Sequence, residues 1–162
     1  MSTIIIYYSI SGQTKLIADI ICNKLKCKEF EIETDPKIKP DVVSMYIHGT
    51  KEMVSRNSPK LVTPEIDLSE YDNIIIGFPN WASNFPPAMK EFVSNNDFSG
   101  KNIYLYTTYA ARGGEACLNN ASKHFTTAKS IKKLGKFSLP KIHNKDKVVE
   151  KVYEILASEK LV

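Results

Sequence analysis

Three stretches of the chain are apolar with little polar interruption: Thr3–Tyr8, Tyr71–Gly77 with Ile74-Ile75-Ile76 at its centre, and Asn102–Tyr109. β-Branched and aromatic runs of this length predict strands, the first buried on both faces. Between them the period changes. From Thr14 onward Leu16, Ile17, Ile20, Ile21 and Leu25 recur on one helical face. Lys28 to Thr34 sets Phe30 and Ile32 against Glu29, Glu31 and Glu33, the alternation of a strand nearer a sheet edge. Pro36 and Pro40 end it. Asp41 to Arg56 is weakly helical, with Val42, Met45, Tyr46 and Met53 as its apolar face, and Asn57 to Ser69 is a Pro-punctuated connection. Phe78 to Phe85 reads as a loop. Pro86-Pro87 opens a helix whose face is Ala88, Met89, Phe92 and Val93. Ser99-Gly100 is a turn, and the Gly-containing loop Ala110–Gly114 precedes a helix from about Glu115 to His124. Ser130–Ser138 supplies a last strand and Pro140–Asn144 a loop. Asp146–Ser158 closes the chain with an amphipathic helix carrying Val148, Val149, Val152, Ile155 and Leu156.

Five strands alternating with helices predict a parallel sheet with right-handed crossovers. The expected architecture is one α/β domain spanning 1–162: a three-layer, doubly wound sheet in the order 2-1-3-4-5. The 162 residues are too few for a six-stranded, two-half dinucleotide fold. In such sheets ligands sit beyond the carboxyl ends of the strands, at the switch point beside strand one. Three loops should meet there: Ser9–Thr14, Phe78–Phe85 and Thr107–Gly114.

Composition changes this picture little. Hydrophobic residues at 43% and charged residues at 25% suit a globular domain. No apolar run approaches the ~20 residues of a membrane span. The start Met1-Ser2-Thr3 has no basic leader, so a cytoplasmic protein is expected. Cys22, Cys27 and Cys117 are too few and scattered for a disulfide framework and read as small buried hydrophobes. His48, His124 and His143 are isolated from one another and from the cysteines, and no metal site is expected. The net charge is +4, with many late lysines between Lys123 and Lys151. These suit a surface for an acidic partner or an anionic cofactor, or alternatively a solvated face. No nucleic-acid motif is present, so nucleic acid is not an expected partner.

The first loop carries the clearest chemistry. Ser9-Ile10-Ser11-Gly12-Gln13-Thr14 lies between a buried strand and a helix start, whose free N–H groups point at any anion placed there. Gly12 permits a conformation that a bulkier residue resists. Ser9, Ser11 and Thr14 add three hydroxyls within six residues. Hydrogen bonds to a charged group contribute roughly 1.5–3 kcal/mol each. Four or five would supply much of the ~12 kcal/mol of nanomolar binding, before ordering costs. The loop lacks the Gly-Lys-Ser/Thr ending of a P-loop and the three glycines of a dinucleotide fingerprint, which favours a mononucleotide. The alternative is a plain helix N-cap, with Ser11 as the capping residue.

The stretch Tyr7-Tyr8-Ser9-Ile10-Ser11-Gly12-Gln13-Thr14-Lys15 resembles the FMN phosphate loop of flavodoxins, Ser/Thr-x-Ser/Thr-Gly-x-Thr. Tyr71 to Trp81 looks like the third strand and flavin loop of bacterial flavodoxin-like proteins, and Phe98-Ser99-Gly100-Lys101-Asn102-Ile103 is similar to their turn into strand four. The resemblance covers nearly the whole chain. It implies a flavodoxin-like fold, FMN as cofactor and a redox role, with Ser9, Ile10, Ser11, Gly12, Gln13 and Thr14 at the phosphate.

A flavin ring is flat and apolar on its faces and polar along one edge, so its site needs an aromatic wall and backbone donors and acceptors at the rim. Trp81, the only tryptophan, lies in the loop Pro79-Asn80-Trp81-Ala82-Ser83-Asn84 after strand three. It is read as a stacking wall, or alternatively as a core plug. Phe85 reads as core or hinge packing. In flavodoxins a backbone carbonyl of this loop turns to accept a proton from the ring, and the resemblance places Ala82-Ser83-Asn84 there. Related sequences often carry glycine at this point and this one has none, a departure that favours two-electron chemistry. Thr107, Thr108, Tyr109, Arg112, Gly113 and Gly114 should form the other rim. There Tyr109 could stack on the ring's second face, and Arg112 is either a cation beside the ring edge or a solvated surface residue. Gly113-Gly114 reads as the backbone turn that opens the next helix.

The resemblance implies an electron carrier serving redox partner proteins. Flavodoxins usually present acidic faces, whereas this chain is basic. One alternative is an FMN-dependent oxidoreductase taking hydride from a nicotinamide and reducing a quinone-type acceptor. A second is a non-catalytic module that kept the fold and lost the cofactor.

Overall fold

The computed structural model describes residues 2–35, 37, 59–110, 112–138 and 144–162. The expected weak helix over 41–56, Pro36 and Pro40, Ala111 and most of the loop over 140–144 lie outside the described residues. The elements are β1 (Thr3–Tyr8), α1 (Gln13–Leu25), β2 (Lys28–Ile32), β3 (Thr34–Asp35), β4 (Lys60–Leu61), β5 (Asn73–Pro79), α2 (Pro87–Ser94), β6 (Asn102–Tyr109), α3 (Gly114–Ser122), β7 (Ser130–Ser138) and α4 (Lys145–Ser158).

The main sheet is five-stranded in the order β2-β1-β5-β6-β7. Each adjacent pair is parallel. Counting only these strands, the order is the expected 2-1-3-4-5. Strand β1 is internal, with Ile4 between Lys28 of β2 and Ile74 of β5. The isoleucine runs are buried because both faces of the sheet are covered. Ile4, Ile6, Ile74, Ile76 and Phe78 face Ala88, Met89 and Phe92 of α2 and Leu118 and Ala121 of α3. Ile5, Tyr7 and Ile75 face Ile17, Ala18 and Ile21 of α1 and Val148, Val152 and Leu156 of α4. This two-residue alternation into two separate cores is the direct consequence of strand pleating.

The helix boundaries follow local chemistry. Pro86 precedes α2, and Pro87 stands in its first turn, where a missing N–H costs nothing. Asn144 caps α4 by accepting from the Lys147 N–H at 3.2 Å. Helix α1 ends at Lys26, which takes the left-handed conformation at φ 53°. The described helices include none long and apolar enough to cross a membrane.

Two features differ from the sequence expectation. The strand read as Lys28–Thr34 is interrupted after Ile32, and Thr34–Asp35 pairs antiparallel with Lys60–Leu61 in a separate two-stranded sheet. Thr63 fixes the break, its Oγ1 accepting from the Glu33 N–H at 3.1 Å. Strand β4 itself fell inside the stretch read as connection, because two residues cannot display a period. Along β6–β7 the register shifts between Leu105 and Tyr106, an irregularity that periodicity does not reveal.

Candidate functional site

Because β1, β5 and β6 run parallel, their carboxyl ends at Tyr8, Pro79 and Tyr109 open on one edge of the sheet. The three loops singled out in the sequence leave from that edge. Gly12 stands at the N-cap of α1 with φ 81°, a left-handed conformation that suits glycine. Ser11 makes no capping bond. Ser9 does part of that work instead, its Oγ accepting from the Lys15 N–H at 3.3 Å. The N–H groups of Ser11, Gly12, Gln13 and Thr14 find no acceptor among the described residues. Four adjacent free donors at the positive end of a 13-residue helix make this a candidate anion site.

The start of α1 is held in place from the sheet. Thr14 is buried, and its hydroxyl pairs with that of Thr108 at 2.9 Å. The Thr14 carbonyl accepts from the Tyr106 hydroxyl at 3.0 Å. Burial pushes the Tyr106 pKa well above the ordinary tyrosine value, so the hydroxyl remains a donor. Tyr106 can lie there because its neighbour across the ladder is Gly77; a methyl group on Gly77 would run into the Tyr106 ring. Sequence reasoning missed this pair, since no local signal connects a glycine on one strand with a tyrosine on the next.

Lys15, the first cation after the loop, turns away from it. Its ammonium bonds to Asp19 at 2.9 Å, Glu29 at 3.3 Å and the Tyr7 hydroxyl at 3.1 Å. Hydrogen bonding to Asp19, then to Tyr7, raises its pKa, while burial pushes that of Tyr7 up to about 12. Positive potential at the loop therefore comes from the helix end and not from Lys15.

The second loop is a tight turn. Trp81 and Asn84 exchange backbone hydrogen bonds at 3.3 and 2.8 Å, with Ala82 at φ 47° and Ser83 at φ 67° between them. Two consecutive positive φ values are the mark of a type I′ turn, normally Asn-Gly or Gly-Gly. With Ala and Ser the conformation costs roughly 1–2 kcal/mol per residue. Side chains offset this. Asn80 Oδ1 accepts from the Ser83 N–H at 2.9 Å, and Asn84 Nδ2 donates to the Ala82 carbonyl at 3.0 Å. Trp81 is only 8% exposed and packs edge-on against Tyr8, with ring centroids 6.4 Å apart. Its ring belongs to the buried cluster on one face of the sheet. Phe85 is also core, 4.8 Å from Phe78 between centroids. Pro79, the last residue of β5, pairs with Thr108, and the Asn80 N–H extends that ladder to the Thr108 carbonyl at 2.8 Å.

In the third loop Thr107 is fully buried and donates to the Phe78 carbonyl at 2.9 Å, so it braces the strand ends. Tyr109 is half-buried at the end of β6, with its ring against Gly114. Gly113 caps α3 at φ 87°, and a methyl group there would strike the Ser83 hydroxyl. Arg112 is exposed and makes no ion pair among the described residues, while its carbonyl accepts from Asn80 Nδ2 at 2.8 Å. Two helix residues that sequence reasoning did not single out complete the site's support. Asn120 donates to the Ser83 carbonyl at 2.7 Å, and the buried Cys117 thiol donates to the Asn84 carbonyl at 3.1 Å. Burial pushes the Cys117 pKa up to about 11, which keeps the thiol a donor.

A doubly wound parallel sheet with an anion-binding helix start beside its first strand defines the α/β proteins that bind nucleotides at a switch point. Within that class the chain belongs to the flavodoxin family, whose sequence model matches residues 2–155. Solved structures agree on the fold. A flavoprotein from Bacteroides uniformis is 22% identical, with 90% of this chain and 97% of the other covered at a TM-score of 0.72. A flavoprotein from Lactobacillus acidophilus in complex with FMN is 20% identical over 89% of this chain and 97% of its own, at a TM-score of 0.71. The flavodoxin of Fusobacterium nucleatum bound to flavin mononucleotide is 13% identical over 99% and 98%, at a TM-score of 0.60. No curated protein matches the chain.

Proposed function

We propose that the protein binds FMN at the carboxyl edge of the sheet and serves as a flavodoxin-like redox protein in electron transfer. The observation that carries this reading is the run of four unpartnered N–H groups from Ser11 to Thr14 behind the left-handed Gly12. The phosphate of FMN is a compact dianion that accepts several such bonds at once, and the donors present fit it. The Ser11 hydroxyl, exposed beside them, adds a further donor. Thr14 and Thr108 hold the helix start, and their paired hydroxyls keep one donor free for a neighbouring oxygen. The turn Trp81–Asn84 and the residues Tyr109, Arg112 and Gly113 would border the ring, with the half-buried Tyr109 as its aromatic wall.

When bound, the flavin supplies the electron-accepting chemistry, and the protein supplies grip, orientation and a polar rim. Among the described residues, no side chain of the site is positioned as acid, base or nucleophile, which suits a carrier exchanging electrons with redox partner proteins. The free cation of Arg112 favours a second reading, an FMN-dependent oxidoreductase using a nicotinamide and a quinone-type acceptor. A positive charge on that rim attracts an anionic ring edge or substrate.

Titrating the purified protein with FMN and with riboflavin tests the first claim. Thr14→Val should weaken FMN about tenfold and riboflavin much less, because the change lies on the phosphate side. Equal losses would contradict the assignment. A colourless protein that FMN cannot reconstitute would mean a fold that has lost its cofactor. Rapid steady NAD(P)H oxidation with quinone by the protein alone would replace the carrier with the oxidoreductase.

A further inference from the structure

Beyond the sheet pairing that reaches Asn80 and Thr108, the second and third loops are joined to each other and to α3 chiefly by side-chain amides. Asn80 bridges them directly, accepting from the Ser83 N–H at 2.9 Å while donating to the Arg112 carbonyl at 2.8 Å. Asn120, in the last turn of α3, reaches over to donate to the Ser83 carbonyl at 2.7 Å. On its other side the Asn120 carbonyl oxygen faces the Lys123 ammonium at 3.4 Å, which orients the amide. Every carbonyl of the turn is engaged. That of Trp81 accepts from the Asn84 N–H, that of Ala82 from the Asn84 side chain, that of Ser83 from Asn120, and that of Asn84 from the Trp81 N–H and Cys117. The Ser83 hydroxyl fills the space that only a glycine at position 113 leaves open, so the two loops also touch sterically.

Of these bonds, the one from Asn120 is distinctive. The others arise within the loops or from their immediate flanks, or come from Cys117, whose soft sulfur is a weak donor. Asn120 alone supplies a strong donor from a regular helix to the strained part of the turn, next to Ser83 at φ 67°. Without it, the Ser83 peptide has no external partner opposing relaxation out of the left-handed region.

We infer that Asn120 is a positioning residue. By holding the Ser83 carbonyl it sets the spacing between the turn Trp81–Asn84 and the segment Arg112–Gly113, and through that spacing the affinity for the ring portion of the flavin. The ligand part of this inference rests on the FMN reading above; the clamp itself does not.

The test uses Asn120→Ala and the shape-preserving Asn120→Asp, which removes the donor. FMN and riboflavin are titrated by flavin fluorescence, and the visible circular dichroism of the bound flavin is recorded. Both ligands should lose the same factor, about three- to tenfold, as expected for one hydrogen bond. The dichroism should change, because the ring's surroundings move. A loss confined to FMN, or unchanged affinity and dichroism in both variants, would overturn the proposal. Amide hydrogen exchange on the ligand-free protein provides the independent arm. Ser83 and Asn84 amides should exchange at least about tenfold faster in the variants, with β1 and β6 amides unaffected. Unchanged exchange at Ser83 and Asn84 would overturn the clamp whether or not flavin binds. A wild-type protein that binds neither ligand would remove the FMN reading and with it the ring-affinity part of the inference, leaving exchange to decide the clamp.

Discussion

Replacing Gly77 by alanine puts one methyl group where the Tyr106 ring already lies. Tyr106 is completely buried, packed edge-on to Phe137 with centroids 6.2 Å apart, and tethered by its hydroxyl to the Thr14 carbonyl. Overpacking of this kind costs about 1–3 kcal/mol. Displacing the ring also removes a buried hydrogen bond, about 1 kcal/mol more. The expected destabilisation is therefore about 2–4 kcal/mol, a fall in melting temperature of about 4–16 °C for a domain of this size. Urea or thermal unfolding of Gly77→Ala measures the total. A double-mutant cycle with Tyr106→Ala isolates its cause. With the ring gone, Gly77→Ala should cost less than about 1 kcal/mol, giving a coupling of about 1 kcal/mol or more. Equal costs in both backgrounds would refute the reasoning, because the penalty would then come from the backbone at position 77 and not from the tyrosine.

Ala82→Gly should stabilise the protein by about 1 kcal/mol, since glycine adopts φ 47° without strain. A lower urea midpoint for that variant would show that the turn is not held in the left-handed region. Stability should also decline as the solution becomes alkaline. Burial raises Cys27 to about 12, Cys117 to about 11 and Tyr7 to about 12, so the folded state keeps protons that the unfolded chain releases from about pH 9 upward. The contribution is whole below the unfolded values and is lost as pH climbs through the folded ones. Urea midpoints at pH 7 and pH 10 should show the drop, and Cys117→Ala should flatten it; a midpoint constant up to pH 10 would count against these burials.

What the sequence makes legible is what short range determines. The isoleucine runs of β1 and β5 report burial on both faces, because an edge strand does not tolerate such runs exposed. The hydroxyl-rich loop before α1 is legible because a helix start leaves its donors free whatever else the chain does. Ser9, not Ser11, accepting from Lys15 is a matter of one turn's geometry, and residue type does not decide it. Trp81 was ambiguous for a related reason. A tryptophan after a strand serves as wall or plug according to what stands beside it, and here Tyr8 at the end of β1 takes its edge. The Gly77–Tyr106–Thr14 line depends on sheet register across 92 residues between Tyr106 and Thr14, which no window along the chain contains.

The same distinction separates the two halves of the site physically. The proposed phosphate end is made by one contiguous segment, so its donors converge as soon as α1 forms, and the sheet only braces them through Tyr106 and Thr108. The ring end has no such local origin. Its turn places Ala and Ser where glycine would relax, and the conformation persists through amides from Asn80, Asn84 and Asn120. A turn made rigid by strain against hydrogen bonds resists rotating any of its carbonyls toward a ligand, because each rotation first breaks a bond already formed. The glycine-poor composition read from the sequence and the complete engagement of carbonyls seen in the structure thus point the same way, toward a ring site whose rim is set before the ligand arrives.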